Sequence, residues 1–193
     1  MDEMKLRDNT FVMFTSDNGP ETLNRYRGSD RPFGSPGPLR GMKLHIYEGG
    51  IRVPAVIRWP GRIRPGSVCH EPINNTDVLP SLCGMAGVKI PTDRFIDGTS
   101  FLPIFRGKRL DRKVPLYWRY DKALSKPFTV AMRQGDYKII ADNEMTQFEL
   151  YNLRSDIAEK NNLAEKEPRR LAAMKRTLAK LHAEIDAEGP KWD

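Results

Sequence analysis

The 193-residue sequence has only two cysteines, Cys69 and Cys83, and neither sits in a C-x-x-C pair. That excludes a paired-thiol zinc site and a thioredoxin-type redox site. No disulfide is indicated, so both are read as unpaired, partly buried thiols. Long apolar runs are missing too: nothing approaches the roughly 18 consecutive apolar residues of a membrane-spanning helix. The opening residues, Met1-Asp2-Glu3-Met4-Lys5, are charged and show no signal-peptide core. There are no internal repeats and no low-complexity tract. The composition is 39% hydrophobic and 30% charged. That suits one globular domain, or one domain with a small appendage. The net charge of +7 would suit nucleic acid, an acidic membrane surface or an anionic substrate. The basic residues are scattered among acidic ones and no nucleic-acid-binding motif accompanies them, so nucleic acid is set aside. The densest cluster, Arg106-Gly107-Lys108-Arg109 with Arg112 and Lys113, is read as an exposed linker.

The residue pattern divides the chain in two. Thr10-Phe11-Val12-Met13-Phe14-Thr15 is a short, nearly continuous apolar run, which suits a strand covered on both faces, as in a parallel sheet. It stops at Ser16-Asp17-Asn18-Gly19-Pro20, a dense turn signal. Residues Glu21 to Gly41 are loop-like, and a loop of that length is usually functional or disordered. A second strand is expected over Val53 to Trp59, ended by Pro60-Gly61. Thr76 is the expected N-cap of a helix carrying Val78, Leu79, Leu82, Met85 and Ala86 at helical spacing, with Gly87 as its stop. Beyond Lys113 come four strand-like runs, Pro115–Tyr120, Phe128–Arg133, Tyr137–Ala141 and Gln147–Tyr151. Gln134-Gly135-Asp136 joins two of them as a hairpin. A helix from about Pro168 to Ala187 closes the chain, with Leu171, Met174, Leu178, Leu181 and Ile185 on one stripe that packs on the meander. The expected class is α/β, with residues 1–112 forming one part and 113–193 an antiparallel sheet with one long helix.

Three places could carry chemistry. Asp17 and Asn18 directly follow the first strand, where ligands of α/β sheets bind. A carboxylate beside a carboxamide supplies hard oxygen ligands for Ca²⁺ or Mg²⁺. Taken alone, Asp-Asn-Gly is read as an ordinary Asx turn. Lys43, after the Gly/Pro-rich loop, could hold an anion as a point charge; alone, it is read as a surface lysine. His45, two residues on, could donate a proton or a hydrogen bond, and alone it too is read as a surface or core residue. Gly49-Gly50 allows a tight backbone path. Glu48 and Arg52 either pair across that turn, the favoured structural role, or Arg52 faces the anion.

Together and in this order, these segments resemble the formylglycine-dependent sulfatases of the alkaline-phosphatase-like superfamily. Phe14-Thr15-Ser16-Asp17-Asn18-Gly19 is similar to the family's strand-to-metal segment. Leu39-Arg40-Gly41-Met42-Lys43, followed by Tyr47-Glu48-Gly49-Gly50-Ile51-Arg52-Val53-Pro54, is similar to its sulfate-binding lysine segment. Thr76 to Leu82, Asp97 to Pro103, Tyr137 to Ile140 and Glu149 to Leu153 extend the likeness over nearly the whole chain. The resemblance implies an alkaline-phosphatase-like mixed sheet sandwiched by helices, in its C-terminal part, followed by the small antiparallel sheet and helix. It implies that Asp17 and Asn18 are two ligands of a divalent metal, usually Ca²⁺ with Mg²⁺ the alternative, and that Lys43 holds the substrate sulfate. His45 falls where many members carry a small or hydroxylic residue; a place in the wall of the substrate pocket is expected for it. The implied reaction is hydrolysis of an aryl or sugar sulfate ester through attack of a hydrated formylglycine on sulfur, with charge on the sulfuryl oxygens stabilised electrostatically. A periplasmic or secreted setting is implied as well.

The formylglycine precursor motif, C/S-x-P/A-x-R, is not found. Cys69 is followed by His70-Glu71-Pro72-Ile73 and Cys83 by Gly84-Met85-Ala86-Gly87, and no serine fits. The upstream aspartates and Lys/His partners of the family are also absent, and in the family they precede everything seen here. The expectation is therefore a sulfatase fragment, inactive alone, whose first strand lacks its parallel neighbours and exposes apolar faces. Two rivals stand beside it: a phosphodiesterase or phosphonate hydrolase of the same superfamily, and a non-catalytic module binding anions such as sulfated glycans.

Overall fold

The structure, a computed structural model, describes residues 1–22 and 34–189. Most of the loop expected between Glu21 and Gly41 lies outside the described residues; residues 34–41 form no regular element. The chain divides into two compact units, Met1–Thr15 with Pro54–Pro115, and Ser16–Val53 with Leu116–Asp193.

In the first unit, strand β1 (Val12–Thr15) pairs with β2 (Ala55–Arg58). The pairing is antiparallel, Val12 opposite Arg58 and Thr15 opposite Ala55. The antiparallel pairing differs from the parallel sheet that the apolar run suited, whereas the missing parallel neighbours and the exposed apolar side chains are as expected. Phe14 is 75% exposed and Val56 64%, so one face of the ribbon is open. An apolar run shows that a strand wants cover, not what pairs with it or in which direction. The other side of the ribbon leads into an aromatic cluster. Phe11 meets Trp59 edge-on at 5.8 Å and stacks on Phe101 at 6.5 Å, and Phe105 completes the group.

Helix α2 (Val78–Ala86) follows a 3-10 turn over Asn75–Asp77. Its start is capped by Asn74, not Thr76: Asn74 and Asp77 form a reciprocal capping box. Its end is as expected, with Gly87 left-handed at φ 68°. Its buried face is not the one that carries Leu79 and Leu82. Pro80, Ser81 and Cys83 are buried, whereas Leu79 and Leu82 are about half exposed. Ser81 accounts for this, because its hydroxyl donates to the Asp77 carbonyl and accepts from the Phe101 backbone N–H. The linker reading also fails in part. Arg112, from the basic cluster, is mostly buried against the fully buried Asp77. Both cysteines are free, Cys83 buried and Cys69 exposed.

The second unit contains the meander, β3 (Leu116–Arg119), β4 (Phe128–Gln134), β5 (Tyr137–Asp142) and β6 (Phe148–Asn152), in that spatial order. All pairs are antiparallel, as expected from the four strand-like runs and the hairpin turn. Gly135 turns the β4–β5 hairpin at φ 61°. Helix α3 (Pro168–Glu188) buries Met174, Leu178 and Leu181 and lies against β5. Its outer turns are tied down by His182, whose Nδ1 is 2.8 Å from the Tyr117 hydroxyl, and by Asp186, 2.8 Å from Arg119. The opposite face of the sheet packs Ala131, Ile140 and Tyr151 with Leu153 against Ile46 and Tyr47. Residues from the segment holding Lys43 thus share a core with the meander.

Candidate functional site

The site is built around a single helical turn, α1 (Glu48–Ile51). Glu-Gly-Gly-Ile has little helix propensity, since each internal glycine costs about 1 kcal/mol relative to alanine. Close backbone contacts require those glycines. A Cβ on Gly19 would lie 1.8 Å from the Gly49 carbonyl oxygen, one on Gly49 2.3 Å from the Gly41 oxygen, and one on Gly50 2.1 Å from the His45 oxygen. Three backbone hydrogen bonds stitch the segments together. Gly19 N–H donates to Gly50 at 2.8 Å, Gly49 N–H to Arg40 at 2.7 Å, and Lys43 N–H to Pro20 at 2.9 Å.

This stitching brings together the two segments that sequence singled out far apart. Asp17 is exposed and Asn18 half-buried. Ser16 braces the turn, with its hydroxyl donating to the Asn18 carbonyl at 2.9 Å and lying 3.4 Å from Asp17 Oδ1. The Asp17 carboxylate and Asn18 amide remain two hard oxygen donors at one turn, which fits part of the set of about six to eight oxygens that Ca²⁺ takes. Among the described residues no three of His, Cys, Asp and Glu converge as a metal site. Lys43 is half-buried, and among the described residues its ammonium has no acidic partner. His45 folds back over Gly41, and its Nδ1 accepts the Met42 N–H at 3.1 Å. That bond braces the turn before Lys43.

The other cations of the segment are committed elsewhere. Arg52 reaches Glu48 at 3.5 Å, the pairing favoured from sequence. Arg40 lies over the Tyr47 ring and donates to the Tyr151 hydroxyl at 3.0 Å and the Glu159 carbonyl at 3.2 Å. Tyr47 donates to Glu149 at 2.9 Å. Burial first, then Glu149, pushes the Tyr47 and Tyr151 hydroxyls well above the ordinary tyrosine value, so both stay protonated donors.

Sequence reasoning missed the base of this site. Lys138, from β5, is completely buried and lies 3.0 Å from Glu48 Oε1 and 2.8 Å from Glu159 Oε1. Glu159 Oε2 accepts the Glu48 N–H at 2.7 Å. Burial raises the Glu159 carboxyl above its ordinary value, against the opposing pull of Lys138 and the Glu48 N–H. The groups around it are Lys138, Glu48 with Arg52 behind it, and Arg40 on its own carbonyl. A raised folded-state value means that the folded chain holds this proton more tightly than the unfolded chain. Glu159 therefore favours folding below the ordinary glutamate value, and that contribution is lost as pH rises through the raised one. Urea midpoints of Glu159→Gln between about pH 4 and 8 are expected to show a flatter pH dependence than those of the parent; an unchanged slope would contradict it.

Residues 42–187 match the family described as N-sulphoglucosamine sulphohydrolase, C-terminal. The chain is 44% identical over 107 residues to the steryl-sulfatase of Rattus norvegicus, covering 55% of this chain and 18% of that protein. To human arylsulfatase A it is 35% identical over 212 aligned residues, covering 96% and 40%. It shares its fold with a solved sulfatase from Pseudoalteromonas sp., at TM-score 0.76 and 24% identity, over all of this chain and 40% of that one. The chain belongs to the sulfatase family and aligns with the C-terminal part of its members. It spans less than half the length of each of these three proteins. Among the described residues no helix is long and apolar enough to cross a membrane.

Proposed function

We propose that this chain is the C-terminal part of a sulfatase that hydrolyses aryl or carbohydrate sulfate esters. In this reading Asp17 and Asn18 are two ligands of a divalent metal, Ca²⁺ or Mg²⁺, and Lys43 holds the ester's sulfate group. The observation that supports it is the Lys43–Pro20 and Gly19–Gly50 backbone bonding, which ties the turn carrying Lys43 to the residues that directly follow Asp17 and Asn18. The bound cation would supply charge stabilisation at the sulfuryl oxygens. Formylglycine, the family's nucleophile, would come from a preceding part of the intact protein. Ser16 and His45 act on geometry: one braces the metal turn, the other the lysine turn.

Two oxygen donors leave most of a calcium shell to other ligands, so the 193-residue chain alone is expected to turn over no 4-nitrophenyl sulfate with calcium present. A longer product, extended through in-frame sequence upstream of Met1 that encodes an aspartate pair and a C/S-x-P/A-x-R motif, is expected to be active. Turnover by the short chain would contradict the assignment of roles. Stop codons directly upstream would remove the intact-enzyme reading and leave the anion-binding module.

A further inference from the structure

Lys138 and Glu159, buried beneath α1, belong to neither ligand segment, yet both segments rest on the cluster they form with Glu48. We propose that Lys138, clasped by Glu48 and Glu159, is a positioning residue that sets α1 and, through it, the spacing between the Asp17-Asn18 turn and Lys43. The proposal builds on the sulfatase reading above but has its own test.

The case begins with what α1 lacks. Two of its four residues are glycines, required by close backbone contacts, so side-chain anchoring falls to Glu48 and the half-buried Ile51. Glu48 is held at two points by two partners. Its carboxylate takes Lys138, and its N–H is taken by Glu159. Two fixed points set both the rotation and the height of a helical turn, which a non-directional apolar contact does not. The cluster is enclosed, with Lys138 and Glu159 side chains 0% exposed and Glu48 3%. A well-packed apolar replacement of a buried ion cluster is often as stable, so an orienting role explains the charges better than a stabilising one. From α1 the geometry passes by backbone hydrogen bonds alone: Gly50 to Gly19, beside Asn18, and Gly49 to Arg40, three residues before Lys43.

Hydrogen exchange on the 193-residue chain tests this. The variants are Lys138→Met, Glu48→Gln and the triple Lys138→Met/Glu48→Gln/Glu159→Gln. Exchange at the Gly19, Gly49 and Lys43 amides is expected to accelerate by about tenfold or more while the amides of β3 and β4 keep their rates, as local opening requires. Lys138→Met leaves two buried carboxylates facing each other and can fail to fold; the triple variant carries no buried charge and decides in that case. Unchanged rates at Gly19 and Lys43, or an equal rise through the sheet, overturns the proposal. In the active longer enzyme, the calcium concentration for half-maximal turnover is expected to rise about tenfold in Glu48→Gln, with kcat retained at saturating calcium. No shift there also overturns it. If the longer protein shows no turnover, the sulfatase reading falls and the exchange result decides the positioning role.

Discussion

Replacing Asp77 by alanine is expected to destabilise the unit that contains it by about 3–5 kcal/mol, the cost of breaking a buried ion pair from one side. Asp77 is fully buried and both its oxygens are doubly used. Oδ2 accepts the Asn74 N–H at 2.8 Å and Arg112 at 2.6 Å. Oδ1 accepts the Thr99 N–H at 2.7 Å and Arg112 at 2.9 Å. Alanine would strand two backbone donors and a guanidinium whose side chain is only 14% exposed. At a urea slope of about 2 kcal/mol per molar, the midpoint falls by about 2 M. The double variant Asp77→Ala/Arg112→Met should be less damaged than Asp77→Ala alone, because it removes the unpaired charge, and the cycle measures the coupling. The control is the exposed Asp93–Arg94 pair, with side chains 63% and 70% exposed, where Asp93→Ala should leave the midpoint unchanged. Equal midpoints for Asp77→Ala and the parent would show that water replaces the lost acceptor.

What could be read from sequence and what could not divide along the range of the interactions. The meander and α3 followed from local pattern. The short strand-like runs, the Gly135 turn and the helical stripe from Leu171 to Ile185 are signals carried by residues close in sequence. The places where reading failed depend on distant partners. Glu-Gly-Gly-Ile carries no helical signal, and α1 exists because Gly19, Arg40 and Gly41 press against it. Lys138 sits in a strand buried on both faces, where a lysine ordinarily has no place, and the carboxylates 90 residues before it and 21 after it allow its burial. The arginine at 112 looked like one more charge of a linker until Asp77 was found behind it. For the candidate site, the proposed ligands and their order rest on a family likeness. The tie between their turns, through the Lys43–Pro20 bond, was not legible in the sequence.

In the longer product proposed above, Lys43→Ala is expected to lower kcat/KM by about 100- to 1000-fold, the range seen when one preorganised donor to a developing oxyanion is removed. The reason for choosing Lys43 is that its competitors are already engaged. Arg52 is turned toward Glu48, and Arg40 is bound to Tyr151 and Glu159. Lys43 is the cation of this segment that, among the described residues, is left without an acidic partner, on a turn fixed by its own N–H and by His45. A half-buried lysine without a structural partner contributes little to folding, so the variant should keep the parent's unfolding free energy within about 0.5 kcal/mol. The division between constants carries the mechanism. If Lys43 only held the sulfate group in the ground state, KM would rise and kcat would hold. If it stabilises charge that grows on the sulfuryl oxygens, kcat falls, and that is the expected result. Lys43→Arg restores the charge but offers a planar fork in place of a compact ammonium, so it should recover only part of the loss. Full activity in Lys43→Ala would move the anion contact to another residue and leave Lys43 as a surface lysine.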